Sequence, residues 1–171
     1  WDGSLNTPLN GEKGMISEGG IRVPFIVNWP KGLPKGKVYD APVISLDVAA
    51  TCVALAGLNP VEELDGVNLI PYLNNEIKEV PHDALYWRFW QQEAIREGNF
   101  KYLKWQDREF LFDLNVDINE AENVIDKYPL KADKMKAKLN TWLKTLHYKS
   151  LEPAGLTQEE KWFSHYFPNK E

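Results

Sequence analysis

A glycine-rich segment that carries a single lysine, residues 9–24, is the feature that most constrains this chain. Four glycines fall within ten of its positions, at Gly11, Gly14, Gly19 and Gly20. Lys13 stands between Glu12 and Gly14, and the apolar run Val23–Trp29 follows. Glycine allows positive φ and close approach of the backbone to a ligand. A cation on such a loop, beside a buried strand, suits an anion held at the edge of a sheet. The alternative is a solvated lysine on an ordinary turn.

The same segment does not fit the known nucleotide-binding motifs. Lys13 is followed by Gly14 rather than by Ser or Thr, and no strand pattern precedes Asn10, so a P-loop is excluded. The spacing of Gly11, Gly14 and Gly19 also differs from the dinucleotide fingerprint. The sequence therefore argues against ATP, GTP and NAD as ligands.

Composition argues against two further classes of protein. The chain has 171 residues, a formal net charge of −5 and 43% hydrophobic residues. No apolar run approaches the ~20 residues of a membrane span, and no basic cluster marks a nucleic-acid interface. We therefore expect no membrane span and no nucleic-acid partner. Because there is no basic cluster, an anionic substrate would have to be selected by individual cationic side chains such as Lys13.

Hydropathy patterns predict two parts with different architecture. Residues 1–80 alternate loop, strand and helix, with a doubly buried strand over Phe25–Trp29 and a helix over Leu46–Ala56 that Ser45 caps. Four antiparallel strands are predicted in residues 84–114, over Ala84–Trp90, Gln92–Arg96, Phe100–Trp105 and Glu109–Leu114. An apolar stripe at helical spacing follows, at Met135, Leu139, Trp142, Leu143 and Leu146. A helix on one face of a small antiparallel sheet makes an α+β subdomain.

The end of the chain and its single cysteine each have two interpretations. The tail predicts a helix that begins with a capping box of Thr157 and Glu160. Four aromatic residues follow, at Trp162, Phe163, Tyr166 and Phe167. We expect them to dock on the core, and the alternative is a platform for stacking sugars. Cys52 lies among apolar residues, which favours a small buried hydrophobe over a reactive thiol.

The motif Gly11-x-Lys13-Gly14-x-x-x-Glu18-Gly19-Gly20-x-Arg22-Val23-Pro24 resembles the signature of the type I, formylglycine-dependent sulfatases of the alkaline phosphatase-like superfamily. Four later blocks are also similar to that family, namely Val43–Thr51, Leu64–Leu73, Ile95–Tyr102 and Leu111–Leu114. The resemblance implies an α/β fold. Residues 1–80 would be the C-terminal portion of the catalytic domain, 81–150 a small α+β subdomain with a helix on an antiparallel sheet, and 151–171 a docked tail.

The same resemblance implies roles for six residues in hydrolysis of a sulfate ester. Lys13 would be catalytic, as a cation on the sulfate. Glu18 and Arg22 would form a paired, mostly buried couple that fixes the lysine loop. Three residues at the start of the subdomain are candidates for substrate binding, at His82, Trp87 and Arg88. The alternative for this trio is a surface histidine and a strand arginine in an ion pair.

The resemblance also implies groups that lie outside this chain. The formylglycine nucleophile and a Ca²⁺ (or Mg²⁺) ion would belong to an N-terminal part of a longer enzyme, and we assign no metal ligand here. That N-terminal part would be the chain's first partner, and a sulfated small molecule or glycan the second. We expect residues 1–171 alone to be inactive, and the parent enzyme to be periplasmic or secreted.

Three other functions remain open at this point. A phosphatase or phosphonate hydrolase of the same superfamily would share the scaffold and differ in its nucleophile. A non-catalytic carbohydrate-binding or interaction module would use the aromatic residues without Lys13. A relative of the sulfatases that has lost activity would keep the signature but not the chemistry.

Overall fold

The computed structural model describes residues 5–59, 62–147 and 157–168. These residues form two compact units. The sheet unit contains the residues up to 24 and those from 86 onward, and the helical unit contains residues 25–85. The boundaries at residues 80 and 150 expected from the sequence concern the domains of a longer enzyme, and they stay a prediction.

A four-stranded antiparallel sheet in the order β1-β2-β3-β4 is the centre of the sheet unit. Its strands are β1 (Leu85–Phe89), β2 (Gln92–Glu97), β3 (Phe100–Trp105) and β4 (Arg108–Asp113). All four predicted strands are confirmed to within two residues. Gly98 takes a φ of 58° in the tight turn between β2 and β3, where a residue with a side chain would be strained.

One face of this sheet is covered by helix α4 (Pro129–Leu143). Its buried side chains are Ala132, Met135 and Leu139, which recur at the predicted helical spacing. Near the end of α4, the ring of Trp142 stacks on Tyr86 of β1 with 5.2 Å between centroids. The predicted arrangement of a helix on a small antiparallel sheet is therefore confirmed.

The opposite face of the sheet is covered by the glycine-rich segment and by helix α5 (Thr157–Tyr166). Met15 and Ile16 from the segment join a buried cluster with Trp162, Phe163 and Phe167. The sheet contributes Ala94, Leu103, Trp105, Phe110 and Phe112 to the same cluster. Burial of each such large side chain stabilises the fold by roughly 1.5–3 kcal/mol.

The aromatic tail is therefore part of the core. The ring of Phe163 lies 4.2 Å from that of Trp105, centroid to centroid, and nearly parallel to it. Trp162, Phe163 and Phe167 are buried and Tyr166 packs against them, so the four rings do not form an exposed platform for stacking sugars. Thr157 begins α5, but its side chain lies outside the described part, and so does the predicted capping box.

In the helical unit, α2 (Leu46–Leu55) confirms the predicted helix, and a single turn, α3 (Ile70–Leu73), follows. Two details differ from the sequence prediction. Ser45 makes no side-chain capping bond. The buried carboxylate of Asp47 instead accepts hydrogen bonds from the backbone N–H groups of Ile44 and Val67, each at 2.9 Å. Cys52 is exposed rather than buried.

The structure of this chain assigns no strand over Phe25–Trp29, where the sequence predicts one. The segment has no regular secondary structure, and its apolar side chains are exposed, reaching 87% for Ile26. An apolar run becomes a strand only when a neighbouring strand takes up its N–H and C=O groups. None of the described residues forms such a strand beside it. The apolar residues Leu46, Val48 and Leu55 of α2 are likewise half exposed.

None of the helices in the described ranges combines the length and the apolar composition that crossing a bilayer requires.

Candidate functional site

Lys13 lies at the exposed tip of a tight loop whose flanks are buried. The loop is closed by two backbone hydrogen bonds, from the Met15 N–H to the Glu12 carbonyl at 3.0 Å and from the Gly19 N–H to the Asn10 carbonyl at 2.7 Å. Glu12 is 5% exposed and Met15 is 2% exposed. The sequence between these two residues therefore projects from a fixed base.

Position 14 requires glycine for two reasons, its positive φ and its close contact with a neighbouring side chain. Its φ is 94°, and a Cβ placed on it would clash with the indole ring of Trp162. We expect Gly14→Ala to destabilise the chain by about 1–3 kcal/mol, since both the strain and the clash must be relieved. Urea unfolding followed by tryptophan fluorescence measures this loss.

Gly36→Ala is the matched control for that prediction. Gly36 also has positive φ, at 65°, but no atom lies within 4 Å of a Cβ built there. It therefore reports the backbone strain alone. Equal losses from the two substitutions would show that contact between Gly14 and Trp162 does not restrain the loop.

Behind the loop, Glu18 enters a buried network of charges on the sheet. Lys101 on β3 is 0% exposed and donates its Nζ to Glu18 Oε1 at 3.0 Å. The same Nζ lies 2.9 Å from Glu120 Oε1. The second oxygen of Glu120, Oε2, accepts the backbone N–H of Glu18 at 2.6 Å. The start of helix α1 (Glu18–Ile21) is thus fixed to the sheet by both its side chain and its backbone.

The two carboxylates of this network respond to burial in opposite ways. Burial favours the neutral form of each. For Glu18, the charges of Lys101, Arg96 and Arg22 outweigh burial and hold its pKa below its usual range. For Glu120, burial outweighs the attraction of Lys101 and raises its pKa. Because Lys101 is shared, its charge stabilises one buried carboxylate more than the other.

The predicted pairing of Glu18 with Arg22 is only partly right. Glu18 is buried, but the Arg22 side chain is 50% exposed and its Nη1 lies 3.7 Å from Glu18 Oε2. Exposed pairs of this kind contribute little to stability. Arg96, at 3.4 Å, and Lys101 are the closer partners. The loop is therefore held mainly by the sheet and not by its own arginine.

His82 belongs to the helical unit, where it contacts Asp47. Its Nε2 lies 2.9 Å and 3.0 Å from the two carboxylate oxygens, and its side chain is 11% exposed. It therefore contacts the carboxylate that also accepts the N–H groups of Ile44 and Val67. The alternative interpretation expected His82 to be a surface residue, whereas the structure shows it partly buried. The proposed role of His82 in substrate binding is a prediction that these contacts do not test.

Trp87 and Arg88 are adjacent on β1 and so lie on opposite faces of the sheet. Trp87 packs against the aromatic cluster under the lysine loop. Arg88 is half-buried on the face that carries Tyr86 and α4. The structure thus places Lys13, Glu18, Arg22, Trp87 and Arg88 in the sheet unit and His82 in the helical unit.

The sequence interpretation missed three residues that fix the loop. Two are Lys101 and Glu120, and the third is Gln92, whose Nε2 donates to the Gly14 carbonyl at 2.9 Å. One signal was available for Lys101. It alternates along β3 with Phe100 and Tyr102, and so shares a face with Leu103 and Trp105. A lysine on the apolar face of a strand predicts a buried partner. Glu120 and Gln92 have no such local pattern.

Groups of three or more His, Cys, Asp or Glu residues that could hold a metal ion are absent from the described part of the chain.

The chain belongs to the family described as N-sulphoglucosamine sulphohydrolase, C-terminal, whose model matches residues 11–149. The predicted resemblance to the C-terminal part of a sulfatase is confirmed.

Individual relatives agree with this family. An uncharacterized sulfatase from Schizosaccharomyces pombe is 28% identical over 148 residues, covering 75% of this chain and 26% of the relative. The steryl-sulfatase of Mus musculus is 37% identical over 86 residues, covering 49% of this chain and 14% of the relative. The chain thus spans about a quarter or less of these relatives.

A solved structure shows the same fold over nearly the whole chain. The crystal structure of Ps i-CgsB matches with a TM-score of 0.75 and 30% identity, covering 97% of this chain and 38% of that one. The same protein has been solved in complex with k-i-k-neocarrahexaose. The predicted α/β fold class, with its small antiparallel subdomain, is confirmed.

Proposed function

We propose that this chain is the C-terminal part of an enzyme that hydrolyses sulfate esters of carbohydrates, and that Lys13 binds the sulfate group. One observation carries the proposal. A single lysine stands at the exposed tip of a loop whose base is fixed by buried hydrogen bonds and ion pairs. Membership of the family and relatives that are named sulfatases support the reaction class.

The chemistry of sulfate-ester hydrolysis explains why such a lysine is useful. Water is consumed, the bond from sulfur to the bridging oxygen breaks, and an alcohol and sulfate leave. Negative charge grows on the bridging oxygen as that bond breaks. An ammonium group already held in place stabilises this charge more than water can, because no reorganisation is needed. Lys13 would donate to the bridging oxygen or to another sulfate oxygen.

The nucleophile and the metal ion would come from the rest of the enzyme. The resemblance to the sulfatases implies that formylglycine would be the nucleophile and that Ca²⁺ or Mg²⁺ would be the metal ion. The described residues form no ligand set for that ion. In this proposal, the chain contributes a cation and a part of the wall of the substrate site.

The helical unit supports a partner of this kind. Its exposed apolar residues include Phe25, Ile26, Val27, Trp29, Leu46, Val48 and Leu55. Large apolar side chains that are exposed in such number indicate a surface that another part of a protein covers. We propose that the N-terminal part of the catalytic domain covers it, with Phe25–Trp29 pairing as a strand there.

The carbohydrate part of the proposal has a separate support. Ps i-CgsB, 30% identical to this chain, has been solved with an oligosaccharide, k-i-k-neocarrahexaose. Trp162 and Phe163 of α5 are buried and Tyr166 is partly buried against them, so this helix does not provide an exposed sugar platform. His82, Trp87 and Arg88 remain the proposed candidates for contact with the rest of the substrate.

Matched aryl esters test the reaction class. We expect the longer enzyme to hydrolyse p-nitrophenyl sulfate with kcat/KM at least about 100-fold above p-nitrophenyl phosphate, a difference of about 2.7 kcal/mol in transition-state binding. Residues 1–171 alone should hydrolyse neither ester. Preference for the phosphate would assign the enzyme to the phosphatases of the superfamily, and turnover by residues 1–171 would contradict the division of the active site.

A further inference from the structure

Helix α5 holds the residue that precedes Lys13. The carboxylate of Glu12 is buried under this helix, where Oε1 accepts a hydrogen bond from Trp162 Nε1. Its other oxygen, Oε2, accepts one from the Tyr166 hydroxyl at 3.1 Å. Burial and then the hydrogen bond to Glu12 raise the pKa of Tyr166, as expected for a phenol that donates to a carboxylate. The side chain of Asn10 adds a bond to the Tyr166 carbonyl at 3.1 Å.

The same helix holds the residue that follows Lys13. The indole ring of Trp162 occupies the space that a side chain on Gly14 would need. The Gly14 carbonyl accepts a hydrogen bond from Gln92 Nε2 at 2.9 Å. That amide nitrogen also donates to Glu159 Oε1 of α5 at 2.9 Å, and Gln92 Oε1 accepts the Ile16 N–H at 3.1 Å. Gln92 and Glu159 are both 0% exposed.

We propose that α5 is the positioning element for Lys13, with Trp162 holding both neighbours of the lysine at once. The proposal rests on the function proposed above for Lys13. Helix α5, at residues 157–166, lies beyond residues 11–149, which the family model matches. The positioning device is therefore built from a part of the chain that the family model does not include.

Positioning matters because the electrostatic effect of a cation depends on where it stands. A misplacement of about 1 Å can lower a rate about 100-fold, even when the group itself is intact. Trp162 touches the loop on both sides of Lys13, so it can restrict the lysine backbone without contacting the substrate. It is a positioning residue and not a catalytic one.

A double-mutant cycle on the longer enzyme tests this inference, with p-nitrophenyl sulfate as the probe. Trp162→Phe keeps an aromatic ring but removes the donor to Glu12 and part of the contact with Gly14. We expect it to lower kcat/KM about 10-fold when Lys13 is present, and less than about 2-fold in a Lys13→Ala background. Trp142→Phe is the control, since Trp142 lies on the opposite face of the sheet and stacks on Tyr86. It should leave kcat/KM unchanged.

Amide hydrogen exchange supplies a readout that does not depend on turnover. Trp162→Phe should speed exchange at Met15 and Ile16, whereas Trp142→Phe should not. If Trp162→Phe does not fold, Tyr166→Phe replaces it, because it removes only the hydroxyl that donates to Glu12. We expect about a 3-fold loss of kcat/KM from that variant, again only with Lys13 present.

The possible outcomes separate this inference from the proposed function. A loss from Lys13→Ala with none from Trp162→Phe overturns the role of α5 and leaves the proposed function intact. The same loss from Trp162→Phe in both backgrounds means that Trp162 acts on the fold and not through Lys13, which also overturns it. A Lys13→Ala enzyme with unchanged kinetics overturns the proposed function itself.

Discussion

Lys13→Ala is expected to lower kcat/KM for sulfate-ester hydrolysis by about 10²–10³ in the longer enzyme, the loss typical of removing one preorganised charge-stabilising donor. The base of the loop keeps its bonds in this variant, because Glu12 and Glu18 are held by their own partners. The loss would therefore come from the ammonium group and not from unfolding. Steady-state kinetics with an aryl sulfate measures it.

Lys13→Arg should not restore full activity. The guanidinium is planar and larger than the ammonium, and in a closely fitted site it cannot place a compact charge at the same point. The control is Lys134→Ala, which removes an exposed lysine from α4 on the opposite face of the sheet. Near wild-type kinetics for Lys13→Ala would reduce Lys13 to a solvated residue of a turn.

Lys101→Met is expected to destabilise this chain by about 3–5 kcal/mol, the usual cost of leaving buried charges without their partner. Lys101 is the shared partner of Glu18 and Glu120, and all three side chains are at most 2% exposed. The replacement has a similar length and fills the same space, so packing is largely kept. Urea unfolding followed by tryptophan fluorescence measures the change.

Lys104→Met is the matched control on the same strand. Lys104 lies 3.7 Å from Glu93, and both side chains are partly exposed. Lys104→Met should lower the free energy of unfolding by no more than about 1 kcal/mol, because water already screens that ion pair. Equal effects at positions 101 and 104 would contradict the buried network as the attachment of the loop to the sheet.

Lys101 and Lys104 show which features of the buried network could be predicted from the sequence and which could not. Both stand on β3, but alternation places Lys101 on the face with Leu103 and Trp105, and Lys104 on the other. Local periodicity could identify the inward lysine. It could not identify Glu18 and Glu120 as the partners, since they lie 83 and 19 residues away in the chain.

The local elements were predictable because they depend on neighbouring residues. Alternation defined β1–β4, the helical spacing of Met135 and Leu139 defined α4, and a glycine turn joined β2 to β3. The strand predicted at Phe25–Trp29 does not form in this chain, for the converse reason. An apolar run does not form a strand without a partner, and the partner is not among the described residues of this chain.

The sequence by itself determined the family signature, the four strands and the exposed candidate cation, because each is written in adjacent or periodic residues. Only the tertiary structure decided what holds that cation. The bonds from Trp162 and Tyr166 to Glu12 join residues about 150 positions apart. Contacts of that range arise from packing against a common sheet, and packing leaves no local pattern from which they could have been predicted.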